Sequence, residues 1–161
     1  MIGAGNLATN LAKALHSAGH DIIEVYSRTR VSADALAMQV EALPTDNIET
    51  LGRDADIYIL ALKDSVLADI IPSLCSGRND AVFVHTAGSV SIDIFKGHAV
   101  RYGVLYPMQT FSKSRIVDFS EIPVFLEASD SYTMTMREGL AASVSNDVRQ
   151  LDSPSRRYLH L

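Results

Sequence analysis

Cysteine, tryptophan and clustered positive charge are what this sequence has least of. Its 161 residues include one cysteine, Cys75, and no tryptophan. A single thiol cannot close an internal disulfide, so a reducing compartment is the expectation. Lys and Arg number 14 against 19 Asp and Glu, for a net charge of −5. The basic residues form no stripe and have no interleaved aromatics, which argues against a nucleic-acid partner. Long apolar runs are missing too. The longest, Ile57 to Leu62, is far short of the roughly 20 residues that cross a bilayer, and no charged-then-apolar leader opens the chain. The expectation is a soluble cytoplasmic domain with no membrane partner, long enough for one core and too short for two ordinary domains. A G-x-S-x-G elbow is also absent, which removes the commonest hydrolase reading.

What is present begins at Gly3-Ala4-Gly5-Asn6-Leu7-Ala8. Two glycines in a G-x-G-x-x-A pattern give a tight turn and let backbone approach a pyrophosphate, and Ala8 takes the third place, where only a small side chain lets helix and sheet pack closely. Leu7, Leu11 and Leu15 recur at helical spacing and Gly19 supplies a stop, so a helix of about three turns aims its free N–H groups at the loop. The candidate phosphate-binding set is Gly3, Gly5, Asn6 and Leu7. About twenty residues further on, an acid would normally grip the adenosine ribose of NAD. Here Ile22 to Tyr26 reads as a strand ending in Ser27-Arg28-Thr29. A guanidinium flanked by hydroxyls suits a ribose 2′-phosphate, which a carboxylate would repel, so the cofactor expected is NADP.

Only Met1-Ile2 precede the loop, so the strand expected there is mostly missing, with reduced stability as the consequence. Further on, Ser32 to Gln39 reads as a serine-capped helix, Val40 to Leu43 as a short strand closed by Pro44, and Asp46 or Asn47 as the cap of a small helix through Leu51. Ile57 to Leu62 is a fully buried strand whose end, Leu62 and Lys63, faces the cofactor. Ser65 starts a helix that Pro72 kinks or ends. Strands follow at Ala81 to Val84, Tyr102 to Tyr106 and Pro123 to Leu126, a helix at Ser131 to Ser143, and a last strand at Val148 to Leu151. Strands alternating with helices imply an α/β fold, a Rossmann-type doubly wound, mostly parallel sheet with helices on both faces. From Ser153 a short helix begins, with Tyr158, Leu159 and Leu161 lacking any later segment to pack on.

Ligands bind at the C-terminal ends of strands in such sheets, which singles out His85-Thr86-Ala87-Gly88-Ser89 and Gln109. Thr86 and Ser89 can orient nicotinamide or substrate through their hydroxyls. His85 is open between proton transfer and a hydrogen-bonded core role; Lys63 between a ligand anion and solvent; Gln109 between a substrate pocket and a structural turn. No catalytic residue is assigned. His16 and His20 stand four apart, but Gly19 interrupts the helix between them and no carboxylate is nearby in sequence, so no metal is expected. Met134 and Met136 read as packing residues.

With these residues in view, the chain resembles the NADP-dependent Rossmann family that carries a helical C-terminal domain of unknown function, related to pyrroline-5-carboxylate reductase, 6-phosphogluconate dehydrogenase and the NADP oxidoreductases named for a deazaflavin coenzyme. The resemblance runs from Ile2 to Leu161 and rests on Gly3 to Asn6, Tyr26 to Thr29, His85 to Ser89 and Tyr102 to Phe111. It implies an NADP-binding Rossmann domain over residues 1–151, and at 152–161 the start of a helical domain that is otherwise absent. In related reductases that domain closes the active site and often forms the dimer, so a homodimer is implied when it is present. The activity implied is hydride transfer between NADP(H) and a small C=N or C=O substrate. A non-catalytic NADP(H)-binding module, a redox sensor or an inactive remnant, is the alternative.

Overall fold

The computed structural model describes residues 1–113, 115 and 117–160; Leu161, part of the expected tail, lies outside them. Helix α1 (Asn6–Ser17) buries Ala8, Leu11, Ala12 and Leu15 on one face. It ends as the sequence predicts, on Gly19 at φ 94, with the amides of Gly19 and His20 bonded back to His16 and Leu15 in the manner of a left-handed glycine cap. Strand β1 (Glu24–Tyr26) then leads to helix α2 (Arg30–Val40). The cap of α2 is Thr29, whose side chain accepts from the Ser32 amide, and not Ser32, because Thr29 is the last residue with extended backbone. Val40 belongs to α2 and not to a strand. Glu41 turns the chain in the left-handed region at φ 56, and β2 (Leu43–Thr45) runs through Pro44. Proline is tolerated there because β2 lies at the sheet edge, paired only with β1 among the described residues. Asn47 caps the expected short turn, Ile48–Thr50.

Strand β3 (Ile57–Leu60) is followed by α3 (Asp64–Cys75). The cap position falls on Lys63, not Ser65, and Pro72 does not end α3, which carries it internally and continues to Cys75. Then come β4 (Val82–His85), β5 (Arg101–Pro107), β6 (Val124–Ala128), α4 (Ser131–Ala142, capped by Asp130), β7 (Val148–Gln150) and α5 (Ser153–His160). Strands β3, β4 and β5 are parallel neighbours, and β6 runs antiparallel to β5 and parallel to β7. The pair β1–β2 joins this sheet through Ile2 alone, which bridges Tyr26 on one side and Leu60 on the other. The order is therefore β2-β1-Ile2-β3-β4-β5-β6-β7. It reverses direction of winding between β1 and β3, which is the switch point where such sheets bind ligands.

Both faces of the sheet are covered, as its near-continuous apolar strands require. Leu11 and Leu15 of α1, with Ala141 of α4, pack on Ile59, Val82, Val84 and Leu105. On the other face Leu67, Ile71 and Leu74 of α3 pack on Tyr58, Leu60 and Phe83. The tail helix is held differently from the sequence expectation. Its apolar residues are indeed uncovered, Tyr158 being 82% exposed, but a buried polar clamp fixes it to the sheet. Asp152 caps it through the Ser155 amide. Arg156, 1% exposed, donates to a Glu127 carboxylate oxygen at 2.7 Å and to the Val90 carbonyl at 2.5 Å. Ser153 donates to the same carboxylate and accepts from the Ile92 amide.

Candidate functional site

All the expected site residues leave the sheet at one edge, because Ile2, β1, β3, β4 and β5 run parallel and each is followed by a loop. Gly3 sits at φ 115, and a Cβ there would press into the Ala61 carbonyl and the Leu62 side chain. The first glycine is thus demanded by both conformation and close approach. At Gly5 a Cβ would meet nothing within 4 Å, so its openness leaves room for a group from outside. Gly5 is also the N-cap of α1, and no side chain caps that helix end, whereas Thr29, Asp130 and Asp152 cap α2, α4 and α5. The amides of the first turn, at exposed Asn6 and half-buried Leu7, remain for a ligand. An open cradle, free amides and no acidic residue in the first turn together fit a pyrophosphate.

Beyond β1, Ser27 is half-buried while Arg28 and Thr29 are exposed. Among the described residues the Arg28 side chain has no hydrogen bond or ion pair, in contrast to Arg30, which is held by Asp34 at 2.8 Å. Thr29 is partly committed to capping α2. Leu62 lies past the end of β3 against Gly3, and Lys63 is exposed at the cap of α3. Thr86 is 5% exposed and bonds the Leu60 carbonyl through both its amide and its hydroxyl, which ties the β4 loop to the end of β3. Ser89 donates to Asp64 at the start of α3, at 2.7 Å. Gln109 is exposed in a tight turn, its amide on the Pro107 carbonyl.

His85, open in the sequence between proton transfer and a core role, is buried. Its ring is 0% exposed, stacked on Phe95 at 5.8 Å. Nδ1 accepts from the Ala87 amide at 3.1 Å, and Nε2 faces the Ser91 carbonyl at 3.4 Å, which assigns the proton to Nε2 and leaves the ring neutral. Burial, reinforced by nearby Arg156, pushes its pKa down to about 4. A buried, neutral imidazole bonded at both ring nitrogens shapes the loop from Thr86 to Ser91.

What the sequence did not reveal is a second imidazole in the same loop cluster. His160 of α5 meets the Tyr106 hydroxyl at 2.8 Å, edge to face, with Tyr106 half-buried and His160 exposed. Gly88 makes the pair possible, since a Cβ there would collide with the His160 ring and the Tyr106 ring. Burial raises the Tyr106 pKa, opposed by Arg156. His160 lies 54 residues from Tyr106 in the chain, so only the fold brings them together. His16 and His20 form no metal site, and no cluster of three or more His, Cys, Asp or Glu suited to a metal exists among the described residues. No helix there is long and apolar enough to cross a membrane.

A doubly wound sheet with a glycine cradle and a bare helix end at its switch point defines a nicotinamide-dinucleotide-binding Rossmann domain. The family follows from comparison. Residues 1–88 match the model of the coenzyme F420-dependent NADP oxidoreductases, and the chain belongs to that family. Its structure is similar to that of a Bacteroides fragilis protein described as an NADP oxidoreductase, with a TM-score of 0.96 and 49% identity over 99% of this chain and 62% of that one. A Coxiella burnetii pyrroline-5-carboxylate reductase (TM-score 0.77, 22% identity, 94% of this chain and 57% of that one) shares the fold. So does a Myxococcus stipitatus imine reductase solved with NADP+ (TM-score 0.77, 16% identity, 98% and 56%). The chain thus spans about three-fifths of the proteins it resembles. No curated protein matches it.

Proposed function

We propose that this chain is the NADP(H)-binding domain, residues 1–151, of a cytoplasmic oxidoreductase that moves hydride between NADP(H) and a small C=N or C=O compound. The observation that carries the cofactor choice is Arg28: an exposed guanidinium without a partner among the described residues, between two hydroxyl residues, where an NAD-selective domain needs a carboxylate. In this reading Gly3, Gly5, Asn6 and Leu7 hold the pyrophosphate, and Ser27, Arg28 and Thr29 hold the 2′-phosphate. Leu62, Lys63 and Thr86 line the path toward the nicotinamide.

The nicotinamide, when bound, supplies or accepts the hydride. The chain's own contribution on the substrate side falls to Ser89, Gln109 and the Tyr106–His160 pair, not to His85. Tyr106 is the hydroxyl we assign to hold or give a proton at the substrate nitrogen or oxygen, with His160 orienting it. Residues 152–161 begin the helical unit that would complete the substrate pocket and form a homodimer. Fluorescence titration with NADPH and with NADH tests the cofactor assignment. Replacing Arg28 with Ala should weaken NADPH binding by roughly tenfold to a hundredfold, the equivalent of about 1.5–3 kcal/mol, and leave NADH binding nearly unchanged. An equal loss for both cofactors would remove the assignment.

A further inference from the structure

Helix α1 carries one side chain that neither joins the core nor faces only water. Asn10, half-buried in the second turn, donates through its amide nitrogen to two carbonyls, those of Asn6 and Ser112, each at 2.9 Å. Only the nitrogen of that amide can serve two carbonyl oxygens, so its orientation is chemically fixed. Asparagine is among the weaker helix formers, and a polar side chain turned back onto its own helix adds little to it. The bond to Ser112 has a different effect, because it joins residues 102 positions apart.

Ser112 ends a strap that crosses the C-terminal edge of the sheet. At the start of the strap the Met108 amide donates to the Pro123 carbonyl and the Gln109 amide to the Pro107 carbonyl, which holds the chain to the end of β5. At its far end Phe111, 9% exposed, stacks on Phe119 at 5.6 Å in the cluster that contains Leu11 and Leu15 of α1, and Ser112 is tied to Asn10. Gln109 and Thr110 are strung between these anchors, both exposed and with no side-chain hydrogen bond among the described residues. Three steps along the chain keep Gln109 within about 10 Å of Ser112, and so close to the flank of the helix whose bare first turn faces the glycine cradle.

We propose that Asn10 is a positioning residue: it pins the strap to α1 and so sets Gln109 and Thr110 beside the nicotinamide half of a dinucleotide held at Gly5, an assignment that rests on the NADP(H) reading above. The two side chains offer what that half can use, an amide donor and acceptor for the carboxamide and a hydroxyl for the ribose. Asn10 has no part in the phosphate half of the site, which falls to residues 3–7 and 27–29.

The test measures the affinity of NADPH and of adenosine 2′,5′-bisphosphate, which has the 2′-phosphate and one 5′-phosphate but no nicotinamide. It is run on the wild type, Asn10→Ala, Gln109→Ala and the double variant. Alanine is the stronger helix former, so α1 is kept. Asn10→Ala is expected to weaken NADPH by roughly fivefold or more and to leave adenosine 2′,5′-bisphosphate unchanged. The double variant should lose less than the product of the two single losses, because Asn10 acts through the strap that carries Gln109. Equal weakening of both ligands, no weakening of NADPH, or single losses that multiply in the double variant would each overturn the assignment. A wild type that binds neither ligand removes the NADP(H) reading and this assignment with it; one that binds both, with NADPH untouched by Asn10→Ala, removes this assignment alone.

Discussion

Acidification between pH 6.5 and 4 should cost this protein a definite part of its stability through one side chain. His85 is buried, neutral and hydrogen-bonded at both ring nitrogens, and burial with the nearby Arg156 holds its pKa near 4 instead of 6.5. The sign follows from linkage. A base whose pKa is lower in the folded state is protonated first in the unfolded chain, so stability is complete above pH 6.5 and falls as the pH drops toward 4. The gap from 6.5 to about 4, at about 1.4 kcal/mol for each pH unit, is worth about 3 kcal/mol. Carboxylates titrate in the same window, and Asp118, Asp130 and Asp152, whose hydrogen bonds lower their pKa values, also lose stabilisation on protonation. The informative quantity is therefore a difference. Urea unfolding at pH 7 and pH 4.5 is compared for the wild type and for His85→Asn, whose amide oxygen can take the Nδ1 role toward the Ala87 amide. The variant is expected to lose about 2–3 kcal/mol less than the wild type across that interval. Parallel pH profiles for the two proteins would refute the buried, neutral assignment.

Removing Glu127 leaves Arg156 as a buried, unpaired cation. Glu127→Ala should therefore lower unfolding free energy by about 3–5 kcal/mol and release α5, detectable as faster amide exchange over residues 153–160. Gly3→Ala must accept both a left-handed backbone and a clash with the Ala61 carbonyl, whereas Gly97→Ala at φ 84 meets only the backbone strain. The first should destabilise well beyond the second, for which strain of about 1–3 kcal/mol is the whole cost, as thermal melts would show. Cys75 is buried and its thiol pKa is pushed up to about 12, so it should react with an aromatic disulfide reagent only at the rate of unfolding.

The parts of this fold that were legible are those written in local pattern. The glycine loop, the Leu11–Leu15 stripe with its Gly19 stop, and the apolar runs at Ile57 and Ala81 each specify an element without reference to the rest of the chain. Boundaries were less legible where two neighbours could serve. Thr29 and Ser32 are both good caps, and only the observed backbone decides that α2 starts at Arg30. Pro72 could not be read locally, because a proline can end, kink or ride within a helix depending on what packs around it. The tail misled for a different reason: hydrophobic accounting sees Tyr158 and Leu159 uncovered, but the clamp is polar and joins Arg156 to residues 29 and 66 positions away. The same distance in sequence hid the Tyr106–His160 pair. His85 drew attention by its place at a strand end, and its burial beneath the loop is a property of tertiary packing that no motif records.

In the proposed function a nicotinamide dinucleotide lies along the C-terminal edge from Gly5 to Thr86 with its 2′-phosphate on Arg28. The most direct measurement is a paired titration of the protein with NADPH and NADH, repeated on Arg28→Ala. Saturable binding that favours NADPH by tenfold or more is expected, with the preference abolished in the variant. Equal affinity for the two cofactors in the wild type, or a preference that survives the loss of Arg28, would contradict it.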